Sequence, residues 1–280
     1  MTTYKGINGT AVQNYAGDPD NPITGQLWYD SNASEFKYQE QVTGNAWSTG
    51  NPLNTARQTA AGAGTQTSGL AFGGYDGTAV TAVTEQYNGT SWTEVADLNA
   101  ARDGLGGFGA DNTSALAFGG DGTPDKTVTE SWNGSAWTEI ADMNTARNTL
   151  AASGIITSGL VYGGYDTANR AQTESWNGSS WTEVADLNTA IRQNAGAGAD
   201  NTSALNFGGG PPAVANTELW NGSAWTDVAD LNTARNGLRG AGIATAALAF
   251  GGETATAPTG ITESWNGTNW TETADLNLAR

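Results

Sequence analysis

ESWNGSAWTE, residues 130–139, sets two tryptophans around an Asn-Gly pair, and near-copies recur along the chain. They read QYNGTSWTE at 86–94, ESWNGSSWTE at 174–183, LWNGSAWTD at 219–227 and ESWNGTNWTE at 263–272. Asn-Gly between two β-like runs is a strong hairpin signal, because both central residues of a type I′ turn require φ > 0. The turn is therefore expected at Asn133-Gly134 and its equivalents. With a loop of two or four residues, strand pairing sets Trp132 and Trp137 on one sheet face. The same holds for Trp176/Trp181, Trp220/Trp225 and Trp265/Trp270, with Tyr87/Trp92 as the variant. Burying a large apolar side chain contributes about 1.5–3 kcal/mol. These pairs, together with Trp47, read as structural packing between sheets. A row of sugar-stacking platforms is the alternative, but a binding platform seldom repeats identically in every unit.

Working outward, the phrase LNTAR or a relative ends at Arg57, Arg102, Arg147, Arg192, Arg235 and Arg280, at spacings of 45, 45, 45, 43 and 45. A run of small residues follows each arginine up to Arg235 and reads as strand a. Next comes Leu-x-aromatic-Gly-Gly, strand b, ending at Gly73-Gly74, Gly119-Gly120, Gly163-Gly164, Gly208-Gly209 and Gly251-Gly252. A variable segment leads into the hairpin of strands c and d. Four short strands at this period describe the blade of a β-propeller. The expected fold is all-β.

The double glycine ending strand b, the aromatic on c, the Trp on d and the arginine opening the next unit resemble the Kelch repeat over residues 57–280. The resemblance implies a single propeller that serves as a binding module. The full blades are expected at 57–101, 102–146, 147–191, 192–234 and 235–280. Residues 25–56 look like a degenerate sixth blade, since Leu27 to Trp47 and Trp47 to Arg57 match the spacings of the clear units. Six blades are favoured, and five blades plus an N-terminal β extension are the alternative. Residues 1–24 are then an attachment segment or, through residues 4–13, the inner strand of the degenerate blade. The stretch GQLWYDSNASEFKYQ (25–39) resembles a hairpin of tailed-bacteriophage tail and fibre proteins, which implies a virion location.

Composition excludes much chemistry. The chain of 280 residues has neither Cys nor His, so disulfides, thiolate metal sites and Ser-His-Asp or Cys-His catalysis are out. A net charge of −17 with 11 basic residues makes nucleic acid and anionic membranes poor partners. No apolar run reaches membrane-spanning or signal-peptide length. That agrees with assembly in a host cytoplasm, as does the missing cysteine. No cofactor, metal or catalytic residue is expected.

Two candidate sites remain. Arg57, Arg102, Arg147, Arg192 and Arg235 open strand a near the axis, each with an aspartate five or six residues before it in the clear units. They read as structural ion pairs, or alternatively as a ring capturing a carboxylate or phosphate. The b–c loops vary while the rest repeats, and with the d–a loops they share one face of the disc. That makes Tyr75, Asp76, Lys126, Tyr165, Asp166 and Arg170 the expected contacts for a partner. The Asn-Gly-Ser/Thr triplets match glycosylation acceptors but read as turn chemistry. The function expected is a non-enzymatic virion adhesion protein that binds a host-surface glycan or protein. The alternatives are an assembly protein contacting neighbouring virion subunits, or a glycan-acting enzyme. A homo-oligomer fits any of these.

Overall fold

The computed structural model describes residues 13–15, 27–30, 35–38, 46–122 and 126–280. The chain forms two compact units, 1–45 and 46–280. In the first, β1 (Gln13–Tyr15), β2 (Leu27–Asp30) and β3 (Glu35–Tyr38) form one sheet in that order. β1 runs parallel to β2, and β2 pairs antiparallel with β3 from Leu27↔Tyr38 to Asp30↔Glu35.

The second unit is a five-bladed β-propeller. Blade 1 comprises β4 (Ala61–Thr65), β5 (Ser68–Phe72), β6 (Thr84–Tyr87) and β7 (Trp92–Glu94). Blade 2 comprises β8 (Gly106–Asp111), β9 (Ser114–Phe118), β10 (Thr129–Trp132) and β11 (Trp137–Glu139). Blade 3 comprises β12 (Ala151–Ile155), β13 (Ser158–Tyr162), β14 (Thr173–Trp176) and β15 (Trp181–Val184). Blade 4 comprises β16 (Ala195–Asp200), β17 (Ser203–Phe207), β18 (Thr217–Trp220) and β19 (Trp225–Asp227). Blade 5 comprises β20 (Arg239–Ile243), β21 (Ala246–Phe250), β22 (Thr262–Trp265) and β23 (Trp270–Thr273). Each is an antiparallel meander, as the four-strand pattern predicts.

The favoured count of six blades is corrected to five. β2 and β3 belong to a three-stranded sheet whose third member is a parallel strand, and residues 46–57 contain no strand. The physical reason lies ahead of Leu27, where the stretch NYAGDPDNPITG carries two prolines and offers no small-residue inner strand. Residues 4–12, suggested for that strand, lie outside the described residues.

The inner strands are small because neighbouring blades approach closely there. A Cβ on Gly107 would meet the Phe72 ring of the preceding blade at 2.4 Å. The double glycines are forced for another reason. Gly119 and Gly120 have φ of 64° and 104°, and a Cβ on Gly119 would lie 2.7 Å from the Arg147 carbonyl.

The hairpin tips fall at Asn-Gly, but not as type I′ turns. Trp132 pairs directly with Trp137, leaving a four-residue loop in which only Gly134 has positive φ. Asn133 keeps an ordinary backbone, and its Oδ1 accepts the amides of Ser135 and Ala136 at 3.0 Å each. The asparagine thus acts through its side chain, as an Asx turn.

The tryptophans pack between blades. The Trp132 and Trp137 rings lie 5.4 Å apart, and Trp137 meets Phe72 of blade 1 edge-on at 5.0 Å. Its Nε1 donates to Thr84 Oγ1 of blade 1 at 3.0 Å, so even the indole N–H is satisfied inside the interface. Trp181, Trp225 and Trp270 repeat this bond to Thr129, Thr173 and Thr217. Trp47 completes the series, donating to Thr262 of blade 5 at 3.1 Å and packing 5.0 Å from Phe250. Trp92 instead donates to the Asn51 carbonyl. Residues 47–57 therefore strap blade 5 to blade 1, since Asn54 Nδ2 also holds Glu85 of blade 1 at 2.9 Å.

A backbone chain runs around the ring beside these contacts. Gly104 N donates to Thr59 O, Thr149 N to Gly104 O, Gln193 N to Thr149 O and Gly237 N to Gln193 O, at 2.7–3.0 Å. Among the described residues nothing carries it from Gly237 back to Thr59.

Candidate functional site

The segments that lead into blades 1, 2, 3 and 5 each deliver an arginine into that blade. Arg102 Nη2 donates to Glu130 Oε1 at 2.8 Å, and its Nη1 donates to the Val128 and Gly119 carbonyls at 2.6 and 3.2 Å. The other carboxylate oxygen of Glu130 accepts the backbone and side-chain amides of Asn99, at 2.8 and 2.7 Å. Arg57–Glu85, Arg147–Glu174 and Arg235–Glu263 repeat the pair at 2.5, 2.9 and 2.8 Å, with both side chains buried. Burial pulls the Arg102 and Arg147 guanidinium groups below their ordinary pKa, and the facing glutamates pull the other way. Arg57, Arg102, Arg147 and Arg235 therefore do not form an anion-capturing ring, because their forks are already filled inside the blades. The expected aspartate partners are also corrected. Asp97, Asp142 and Asp230 accept the amides of Thr84, Thr129 and Thr217 at 3.0–3.2 Å, fastening strand c.

Blade 4 breaks the pattern. The residue inserted in LNTAIR places Ile191, not Arg192, at the bracket position, and Gly164 N donates to the Ile191 carbonyl as Gly120 N does to that of Arg147. Arg192 is pushed one residue on and lies over the Tyr165 ring, 4.2 Å from its centroid. Glu218, only 2 % exposed, is left with the backbone amides of Asn188, at 2.8 Å, and Thr189, and no arginine. Burial raises its pKa, the Asn188 hydrogen bond opposes the rise, and nearby Asp227 adds to it.

The six loop residues named from sequence stand on three blades, Tyr75 and Asp76 on blade 1, Lys126 on blade 2 and Tyr165, Asp166 and Arg170 on blade 3. Asp76 builds its own turn, accepting the amides of Thr78 and Ala79 at 2.7 and 2.8 Å, and these bonds hold its carboxyl below the usual range. Tyr75 bridges to Gln58 at the base of the same loop. Lys126 stands on blade 2, its amide on the Gly120 carbonyl at 3.1 Å. On blade 3, Tyr165, Asp166 and Arg170 sit together, joined by Arg192. Asp166 and Arg170 form an ion pair that holds the Asp166 carboxyl well below the usual carboxylate range.

One hollow is axial. A cavity of about 620 Å³ opens among the inner strands and d–a loops, with Thr59, Thr149, Gln193 and Asn194 on its wall. A second stretch of about 160 Å³ continues between the glycines and alanines further along these strands. Two more arginines reach the main cavity, Arg239 and Arg280. Arg239 stands opposite Phe250 on β20, where the other blades place Ala61, Gly106, Ala151 and Ala195 opposite their own aromatic. It is exposed, and among the described residues no side-chain carboxylate pairs with it and none lines the cavity. Sequence reasoning treated strand a as uniformly small and passed over this residue. The signal was present in LRGAGI, where a charge interrupts the run. No group of three or more Asp or Glu side chains among the described residues is placed to hold a metal ion.

No protein-family model and no curated protein matches this chain by sequence.

Proposed function

We propose that the protein is a non-catalytic recognition propeller, of Kelch type, that binds a host-surface glycan or protein through the face formed by its b–c and d–a loops. The observation that carries this reading is where the blades differ. Tryptophan pairs, carboxylate brackets and Asn-Gly turns repeat as architecture, whereas the loops at 75–83, 165–172, 210–216 and 253–261 run YDGTAVTAV, YDTANRAQ, GPPAVAN and ETATAPTGI and have no common sequence. Surfaces that vary on a rigid repeated scaffold are where such folds place recognition. The resemblance of residues 25–39 to a phage tail hairpin supports a virion location. The separate compact unit at 1–45 suits attachment to other virion subunits.

Purified protein is expected to adhere to intact host cells, and grafting the blade 5 loop (253–261) in place of the blade 3 loop (165–172) is expected to abolish adhesion while leaving the thermal midpoint unchanged. Adhesion that survives grafting at every loop would move the site elsewhere. Absence of the protein from purified virions would remove the virion location.

A further inference from the structure

The axial cavity is chemically unlike the rest of the molecule. The chain carries −17, yet the side chains of the described residues around this hollow supply arginine and amide groups and no carboxylate. Arg57, which also borders it, is neutralised by Glu85. Arg239 and Arg280 are not neutralised by any side chain among the described residues. Arg280 occupies the bracket position of a following blade, its carbonyl accepting Gly252 N at 2.8 Å, and its side chain is exposed.

Blade 5 places a guanidinium where four blades have alanine or glycine. Ala61, Gly106, Ala151 and Ala195 line the same cavity, with Ala151 and Ala195 also in the inter-blade cores. Arg239 alone of the five carries a charge to its wall, where surrounding protein pulls its pKa below the ordinary value and its Nη1 donates to the Leu238 carbonyl at 3.3 Å. A guanidinium presents a planar fork of donors matched to a carboxylate, and low-dielectric walls focus its field into the hollow. Gln193 and Asn194 on the wall supply neutral donors and acceptors of the kind that orient hydroxyl groups. The volume of about 620 Å³ is in the range of small-molecule sites.

We infer that the axial cavity is a binding site for a carboxylate-bearing sugar, with Arg239 as its principal anion contact and Arg280 as the second. This deepens the recognition reading and rests on it for biological purpose, but it is testable alone. Titration calorimetry of the full chain would use glucuronate, with glucose as the uncharged control and inorganic phosphate as the competing anion. Glucuronate is expected to bind, glucose to bind at least about tenfold more weakly, and added salt to weaken the glucuronate signal. Arg239→Ala restores the residue that blades 1, 3 and 4 carry, so it is expected to fold with an unchanged urea midpoint. It should lower glucuronate affinity by about tenfold or more. Arg239→Lys should retain part of the affinity.

Equal affinity for glucose, full affinity in Arg239→Ala, tighter binding of phosphate, or no binding of glucuronate would each overturn the assignment. Host-cell adhesion separates the two readings. Adhesion unaffected by Arg239→Ala and by free glucuronate leaves the recognition propeller standing and removes the cavity from it. Failure of the wild-type chain to adhere removes the propeller's proposed role, whatever calorimetry shows for the cavity.

Discussion

Blades 3 and 4 share a fold and most of a sequence, yet one seals a buried charge pair and the other buries half of one. In blade 3, Arg147 and Glu174 meet at 2.9 Å, and the arginine also ties the Gln172 and Gly163 carbonyls. In blade 4, Ile191 fills the arginine's position and Glu218 stays buried without a cation. Both blades are formed, so the pair is not what makes a blade. Tryptophan packing is common to both, with Trp181 and Trp225 each bonded to the preceding blade at 3.0 Å. The bracket instead stitches strand b to strand c from within, and its loss leaves a titratable group in the core.

The largest expected effect comes from breaking the sealed pair. Arg147→Met should cost about 3–5 kcal/mol in urea unfolding, because it strands Glu174 as an unpaired buried charge. A loss below about 1 kcal/mol would show that the pair contributes little. A smaller effect is expected in the other blade. Glu218→Gln should stabilise the protein at pH 7 by about 1 kcal/mol, since it removes a buried charge that lacks a counter-ion.

The sign of the pH dependence separates the blades further. Burial raises the pKa of Glu218 above its unfolded value, so its contribution to stability is complete below the usual glutamate range and is lost as pH rises through its native pKa. The advantage of Glu218→Gln should therefore shrink on acidification. Glu85, which has its arginine, behaves oppositely. Burial pushes its pKa up, but the Asn54 amide, Arg57 and the Thr55 amide outweigh that. Its contribution is present above the usual range and is lost as pH falls. Deleting Ile191 should convert one case into the other. Arg192 would then take the bracket position, and the net change at pH 7 should stay within about 1 kcal/mol as lost isoleucine burial offsets the new charged hydrogen bonds. The acid limb of the stability curve should steepen, and an unchanged limb would show that Arg192 does not reach Glu218.

The repeated parts of this molecule were readable because each is enforced by a local rule. Leu-x-aromatic-Gly-Gly ends in positive φ, and Asn-Gly marks a turn. The parts that sequence missed depend on distant partners. The carboxylate of Arg102 is Glu130, 28 residues on, whereas the nearer Asp97 looked the better partner. Arg192 passed as a member of the ring because an inserted residue leaves the phrase intact while moving the side chain one place along. The sixth blade was suggested by correct spacings around Trp47, but spacing does not report which strands pair. Arg239 escaped because its significance is a difference from four aligned positions, visible only once strand register is known.

The interrupted backbone chain between Gly237 and Thr59 gives the propeller a first and a last blade, and fraying needs ends. Interior blades can exchange their amides only after a neighbour has left, whereas the terminal pair answers to the strap around Trp47 alone. Deuterium uptake should therefore advance inward from blades 1 and 5, with blade 3 last. Severing the Trp47 anchorage should make the two ends open independently of each other.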